Sequence, residues 1–243
     1  MIASLVLRLI RLLPKDKRPG ALRAALSGAM EGMSSSEKLE FLLRLDNRIY
    51  HLTGQATASF SVSGHAKHDM TNYPAFFIGR VRPGERVLDI GSGTGHLAAA
   101  IARQTGASVV GIEIEPTLHE MAQTHFQTPN LDFRLGDATQ MPSGERFDVL
   151  VLSNVLEHLK DRPALLQRLV VQFSPSRLLI RVPCFERDWR VPLKQALGID
   201  WRLDPTHETE YTLESFRDEM RQACLTIIHQ ESRWGEIWAE ACP

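Results

Sequence analysis

Residues 87–102, VLDIGSGTGHLAAAIA, pass from a β-rich run into three glycines within five residues and then into an alanine-rich helical run. Placed after a strand, Gly91, Gly93 and Gly95 let the backbone turn tightly and come close to a ligand, and the helix that follows offers free amide groups at its amino end. The dinucleotide fingerprint GxGxxG asks for its third glycine at position 96, where this chain has His96. The pattern is instead GxGxG, preceded by Asp89. The turn reads as one built for a nucleotide-like ligand other than NAD.

Around this turn the pattern alternates. Val87 to Ile90, Ser108 to Ile112, Leu131 to Leu135, Phe147 to Leu152 and Leu178 to Val182 read as strands, separated by helical stretches near 95–104, 116–126 and 162–173. Such alternation predicts an α/β fold with a doubly wound, mostly parallel sheet. Thr212 is placed to cap a helix running to about Gln222. Residues 224–242, CLTIIHQESRWGEIWAEAC, hold two strand-like runs around Gly235, which predicts an antiparallel edge and seven strands in all.

Upstream, residues 34–54, SSSEKLEFLLRLDNRIYHLTG, carry Ser34 and Glu37 at capping-box spacing, apolar residues at helical intervals, and Gly54 where the helix should stop. Residues 55–70 have no helical stripe and read as a mobile loop, followed by a short helix in TNYPAFFIGRV leading to the turn at Pro83 and Gly84.

Two acidic residues sit where they describe the ligand. Glu113 ends the second strand about 20 residues past the glycine turn, the position from which a carboxylate accepts hydrogen bonds from both ribose hydroxyls. Asp137, followed by Ala138, lies just beyond the third strand in the same crevice, within reach of the amino group of an adenine. The constellation is adenosine-shaped.

With these motifs in order, residues 72–240 resemble the class I S-adenosylmethionine-dependent methyltransferases, of the small-molecule and quinone branch. The resemblance implies a Rossmann-like seven-stranded methyltransferase sheet. LDIGSGTG, residues 88–95, corresponds to the acidic glycine motif, Glu113 to the ribose acid and Asp137 to the adenine-side acid. FDVLVLSNVLEHLKD, residues 147–161, is similar to the fourth strand and the turn after it, with Asn154 on the cofactor side. In some quinone relatives the two glutamates and the histidine of an ExxEH sequence bind a metal ion. Here Asn154 replaces the first glutamate, so no metal is expected.

Methyl transfer from a sulfonium needs alignment above all, and a base helps when the acceptor is a hydroxyl. His158, in LEHL, and His207, in DPTHETEY, are the candidate bases. Residues 64–74, GHAKHDMTNYP, supply His65, Lys67, His68 and Tyr73. An insertion at 184–211 supplies Trp201 and Tyr211 to a lid and acceptor pocket, with the alternative that its tryptophans, Trp189 and Trp201, are packing anchors. The expected domain plan is a helical extension with a lid loop over residues 1–71 and a methyltransferase domain over residues 72–243.

Composition bounds the function classes. A net charge of -1, from 28 Lys and Arg against 29 Asp and Glu, gives no general attraction to nucleic acid. Three widely spaced cysteines suit a reducing cytoplasm rather than a disulfide framework or a zinc site. The amino-terminal run is broken by Arg8, Arg11 and Pro14, too short for a membrane span and wrongly charged for a signal peptide. Its basic amphipathic pattern fits either a helix capping the domain or a partner subunit, or peripheral membrane contact. The expected function is O-methylation of a small hydroxylated acceptor, with a glycan or lipid-linked precursor favoured. A non-catalytic S-adenosylmethionine or S-adenosylhomocysteine sensor is the second reading, and a NAD-dependent dehydrogenase the third.

Overall fold

The computed structural model describes residues 10–58, 60, 66–141 and 144–243. Its centre is a seven-stranded sheet of β1 (Arg86–Ile90), β2 (Ser108–Glu113), β3 (Leu131–Leu135), β4 (Val149–Ser153), β5 (Arg177–Pro183), β6 (Thr226–Arg233) and β7 (Glu236–Cys242), in the order β3-β2-β1-β4-β5-β7-β6. The first five are parallel, and β7 runs antiparallel between β5 and β6. The closing hairpin is therefore present, but the edge strand is β6, and the last strand in sequence lies inside the sheet.

Alternate residues of the central strands build two separate cores, as strands covered on both faces must. Leu88, Val110, Leu150, Leu152 and Ile180 pack with Leu166, Leu169 and Phe173, and with Phe216 and Met220. Val87, Val109, Val149, Val151 and Leu179 pack on the opposite face with Phe76, Phe77, Leu97, Ala98 and Ile101. The helices are α1 (Arg18–Ala29), α2 (Ser35–Ala58), α3 (Ala66–Thr71), α4 (Pro74–Ile78), α5 (His96–Thr105), α6 (Pro116–His125), α7 (Arg162–Phe173), α8 (Arg190–Ala196) and α9 (Leu213–Gln222).

Both expected caps form. The Ser34 and Glu37 side chains close a reciprocal box at the start of α2, and Thr212 caps α9 through the Ser215 amide. The expected end of α2 does not hold. Gly54 sits inside the helix, which continues to Ala58, and α3 occupies part of the stretch read as a loop. A single glycine in a helix costs only about 1 kcal/mol, too little to stop a helix whose next residues, Gln-Ala-Thr-Ala, are helix-compatible. The first strand-like residue of the fourth run, Phe147, precedes the ladder, which starts at Val149.

The strand order reverses between β1 and β4, which opens a crevice at their carboxyl ends. The helical extension reaches the same side of the sheet. Asp46 of α2 accepts from Arg190 Nη1 and Lys194 Nζ, both at 2.7 Å, tying it to α8 in the insertion. Ile2, Leu5, Val6 and Leu9 of the amphipathic segment lie outside the described residues. Among the described residues no helix is long and apolar enough to cross a membrane.

Candidate active site

A cavity of about 410 Å³ opens at the switch point, lined by Asp89 and the glycine turn, Ser153 at the end of β4, Arg181 of β5, and His68 and Tyr73 from the chain entering β1. The glycines differ in purpose. A side chain on Gly95 (φ 83°) would meet Phe133 at 2.6 Å and Ala122 at 2.9 Å, so Gly95 lets the helix seat on the sheet. Gly91 meets Val155 in the same way. Gly93 faces open space, and its amide donates to Glu113 Oε2 at 2.7 Å.

Two buried polar atoms at this cavity have no partner, Asp89 Oδ2 and Ser92 Oγ. Leaving such groups unsatisfied costs about 1–3 kcal/mol each, a cost that a polar ligand removes. Burial, and after it the negative charge of Glu113, push the Asp89 carboxyl up to about 7, with Arg181 opposing.

The remaining expected cofactor residues are placed less directly. Glu113 is buried, and besides Gly93 its carboxylate accepts from the amides of Ile114 and Glu115. It thus pins the glycine turn while retaining acceptor capacity, since a carboxylate has about four lone-pair sites. Asp137 is exposed and caps the short turn Ala138–Gln140 through Thr139, with Ala138 buried beneath. Asn154, in a left-handed conformation (φ 58°), accepts from Arg181 Nε at 2.9 Å. Arg181 itself was not singled out by the sequence reading. It lies over the Tyr73 ring at 3.8 Å, and the signal that marks it is a charge inside the otherwise apolar strand LLIRVP.

Beyond β4 the turn Leu156–His158 meets the insertion. Glu157 is fully buried with neither carboxylate oxygen partnered, and burial pushes its pKa up to about 8. Its backbone carbonyl accepts the amide of Glu208, which draws His207 in beside it. The His158 and His207 rings stand 4.8 Å apart, edge to face. His158 Nδ1 lies 2.9 Å from Thr206 Oγ1, and that hydroxyl donates its only proton to Asp204. His207 Nδ1 lies 2.9 Å from Glu210, a carboxylate held below its ordinary range against burial by His207, Leu203 and Arg187. The Thr206 hydroxyl's proton is spent on Asp204 and a carboxylate only accepts, so each ring donates from Nδ1 and its Nε2 is not used by these supports. Burial, and then His207, lower the pKa of His158, with Asp204 and Thr206 opposing.

A second cavity, of about 440 Å³, lies over the β5 and β7 side. Its wall includes Arg187, Arg190, Lys194, Trp201, Arg202 and Trp234. Of the residues expected to bind acceptor, Trp201 lines this cavity, whereas His68 and Tyr73 face the first. Tyr211 faces neither. It is 1% exposed and its hydroxyl donates to Glu219 at 2.6 Å, so it is a packing residue, aimed inward because Tyr211 bridges to Cys184 beside the sheet. His65 lies outside the described residues. Lys67 falls in α3, with its side chain likewise outside them.

Residues 62–230 match the family model described as a methyltransferase domain. The chain belongs to the methyltransferase domain family. S-adenosylmethionine is the cofactor that goes with it, and the dinucleotide alternative falls. Curated relatives include ubiquinone biosynthesis O-methyltransferases of Rhodopseudomonas palustris, 30% identical in strain BisA53 and 34% in strain BisB5, each over 60% of this chain and 60% of the relative. The chain thus spans about 60% of the length of these relatives. Among solved structures, the magnesium protoporphyrin IX methyltransferase of Synechocystis PCC 6803 with bound SAH superposes with a TM-score of 0.55 at 20% identity, over 72% of this chain and 81% of that one. A Haloferax volcanii methyltransferase solved with an activator protein gives 0.60 at 17%, over 77% and 96%. Both likenesses concern the fold, a Rossmann-like sheet with two antiparallel closing strands.

Proposed function

We propose that this chain is an S-adenosylmethionine-dependent O-methyltransferase acting on a small hydroxylated acceptor. The observation that carries this reading is a cavity at the carboxyl end of the sheet with an unsatisfied Asp89 beside the glycine turn. The turn just past β4 adds the Glu157, His158 and His207 cluster, whose residues line neither cavity. In this reading the first cavity takes the cofactor. Asp89 faces its cationic end, Glu113 and Asp137 take the ribose and adenine, and Asn154 with Arg181 closes the side toward β5.

The second cavity takes the acceptor. Trp201 and Trp234 line it, and Arg202, over the Trp201 ring at 5.1 Å, offers a cation at the rim. Of the glycan and lipid-linked precursors expected from the sequence, the likeness to proteins named for ubiquinone biosynthesis favours a lipid-linked ring hydroxyl. Transfer is an in-line displacement at an activated methyl, for which alignment supplies about 7–11 kcal/mol. Removal of the hydroxyl proton falls to the cluster, where a base contributes about a hundredfold to ten-thousandfold.

The test is turnover. Incubated with labelled S-adenosylmethionine and hydroxylated ring acceptors, the protein is expected to release S-adenosylhomocysteine. Glu113→Ala is expected to weaken cofactor binding by about 1–3 kcal/mol, through loss of a charged acceptor and of the turn it pins. Tight cofactor binding with no turnover on any acceptor points instead to the sensor reading. Unchanged affinity in a folded Glu113→Ala protein removes Glu113 from the site.

A further inference from the structure

The turn after β4 and the insertion bring three ligand-type side chains together from positions 50 residues apart. One donor atom each from Glu157, His158 and His207 lies within 4.8 Å of the other two. We propose that these three residues bind a divalent transition metal ion, with His207 standing in for the carboxylate that Asn154 lacks. The ligand set is then two imidazoles and one carboxylate, in place of the two carboxylates and one imidazole of the ExxEH arrangement.

Three independent features point to a cation. Glu157 is fully buried with both oxygens unpartnered, a state that a coordinated ion relieves and that no described protein donor does. The two histidines have their Nδ1 protons engaged by Thr206 and Glu210, so each presents Nε2, and a histidine held through its far nitrogen by a carboxylate or hydroxyl is the usual outer support of a metal ligand. Those supports are themselves anchored. Thr206 is held by Asp204 at 2.6 Å, and Glu210 by Arg187 and the amide of Leu203. A tetrahedral Zn²⁺ sets donors at about 2.0–2.1 Å from itself, hence about 3.4 Å from one another, which side-chain rotation reaches from the observed spacing.

Replacing a carboxylate by an imidazole changes selectivity. Nitrogen-rich sites favour Zn²⁺ and its transition-metal neighbours, whereas Mg²⁺ prefers oxygen donors. When bound, such an ion lowers the pKa of a hydroxyl that it contacts. With the ion bound, His158 and His207 would serve as its ligands instead of as the base, and the acceptor's hydroxyl proton would pass to solvent. This deepens the acceptor-side reading above, but ion binding itself needs neither acceptor nor turnover.

The experiment is calorimetric titration of the chelator-stripped full chain with Zn²⁺, Mn²⁺ and Mg²⁺, with thermal melting in parallel. The expected result is one equivalent of Zn²⁺ bound at least a hundredfold more tightly than Mg²⁺, with a raised melting temperature. His207→Ala and His207→Gln are expected to lose at least a hundredfold in Zn²⁺ affinity and the whole melting shift, while each binds S-adenosylmethionine like the wild type. Glu157→Gln is expected to behave the same way. Glu210→Gln is expected to weaken Zn²⁺ about 10–100-fold, as loss of an outer support does. Sub-stoichiometric or weak Zn²⁺ binding, tighter binding of Mg²⁺, or a His207→Gln protein that holds Zn²⁺ like the wild type overturns the assignment. Absence of turnover with Zn²⁺ bound leaves the metal site standing and counts against the methyltransferase reading alone.

Discussion

At the scale of the residue, Asp89 makes the site responsive to pH. Its carboxyl is raised to about 7 by burial and by Glu113, against 3.8 for the free group. In the ligand-free protein the native state thus holds a proton that the unfolded chain gives up near pH 4. The associated stability is full below that pH and is lost as pH rises through about 7. A ligand that brings positive charge to Oδ2 favours the ionised form, so binding releases this proton below pH 7. Affinity for S-adenosylmethionine is therefore expected to rise between pH 6 and pH 7.5, by up to about tenfold per unit at the acid end. Asp89→Asn should flatten that rise. Calorimetry in buffers of different ionisation enthalpy reads the released proton directly, and a slope unchanged in Asp89→Asn assigns it to another group.

At the scale of the element, α2 carries a removable weakness. Gly54 has a helical backbone, and an added side chain there meets nothing within 4 Å. Gly54→Ala is expected to stabilise the protein by about 0.5–1 kcal/mol, seen as a higher urea midpoint at unchanged slope. A lower midpoint means that the helix needs the glycine for a close approach.

The same helix shows what local sequence encodes. The Ser34 and Glu37 cap was legible because both partners lie within one turn. The parallel strands were legible because burial on two faces demands unbroken Val, Leu and Ile. The end of α2 was not, since a glycine is a weak stop that its neighbours outvote. The glycine turn and its three acids were readable as a ligand site. Arg181 and the second cavity were not, because they depend on how β5, α2, α8 and the β6–β7 turn meet in space. The inward turn of Tyr211 and the meeting of His207 with Glu157 follow from the course of the insertion, which has no periodicity to read.

At the scale of the whole molecule, Asp46 and Asn47 of α2 fasten the amino-terminal extension to the insertion. Lys194 is 7% exposed and among the described residues its ammonium donates to Asp46 and Asn47, both at 2.7 Å, while Asp46 also takes Arg190. Asp46→Ala leaves a nearly buried ammonium with one neutral acceptor and is expected to cost about 1–3 kcal/mol. The loosened attachment is expected to show as faster limited proteolysis within residues 10–60, with cofactor affinity unchanged. A proteolysis rate equal to wild type means that apolar packing, and not this ion pair, holds the extension.

The place of β7 between β5 and β6 has a consequence for biogenesis. Every residue of β5 is buried in the finished sheet, and its far edge is closed only by β7, about fifty residues later in the chain. At a synthesis rate of about 5–20 residues per second, a nascent chain presents that apolar edge unpaired for roughly 3 to 10 s. An open strand edge of this kind is a template for other chains. Ribosome-paced delay between Pro183 and Glu236 is thus the interval in which this protein most needs a chaperone, and slowing translation there should raise the aggregated fraction more than an equal delay before β5.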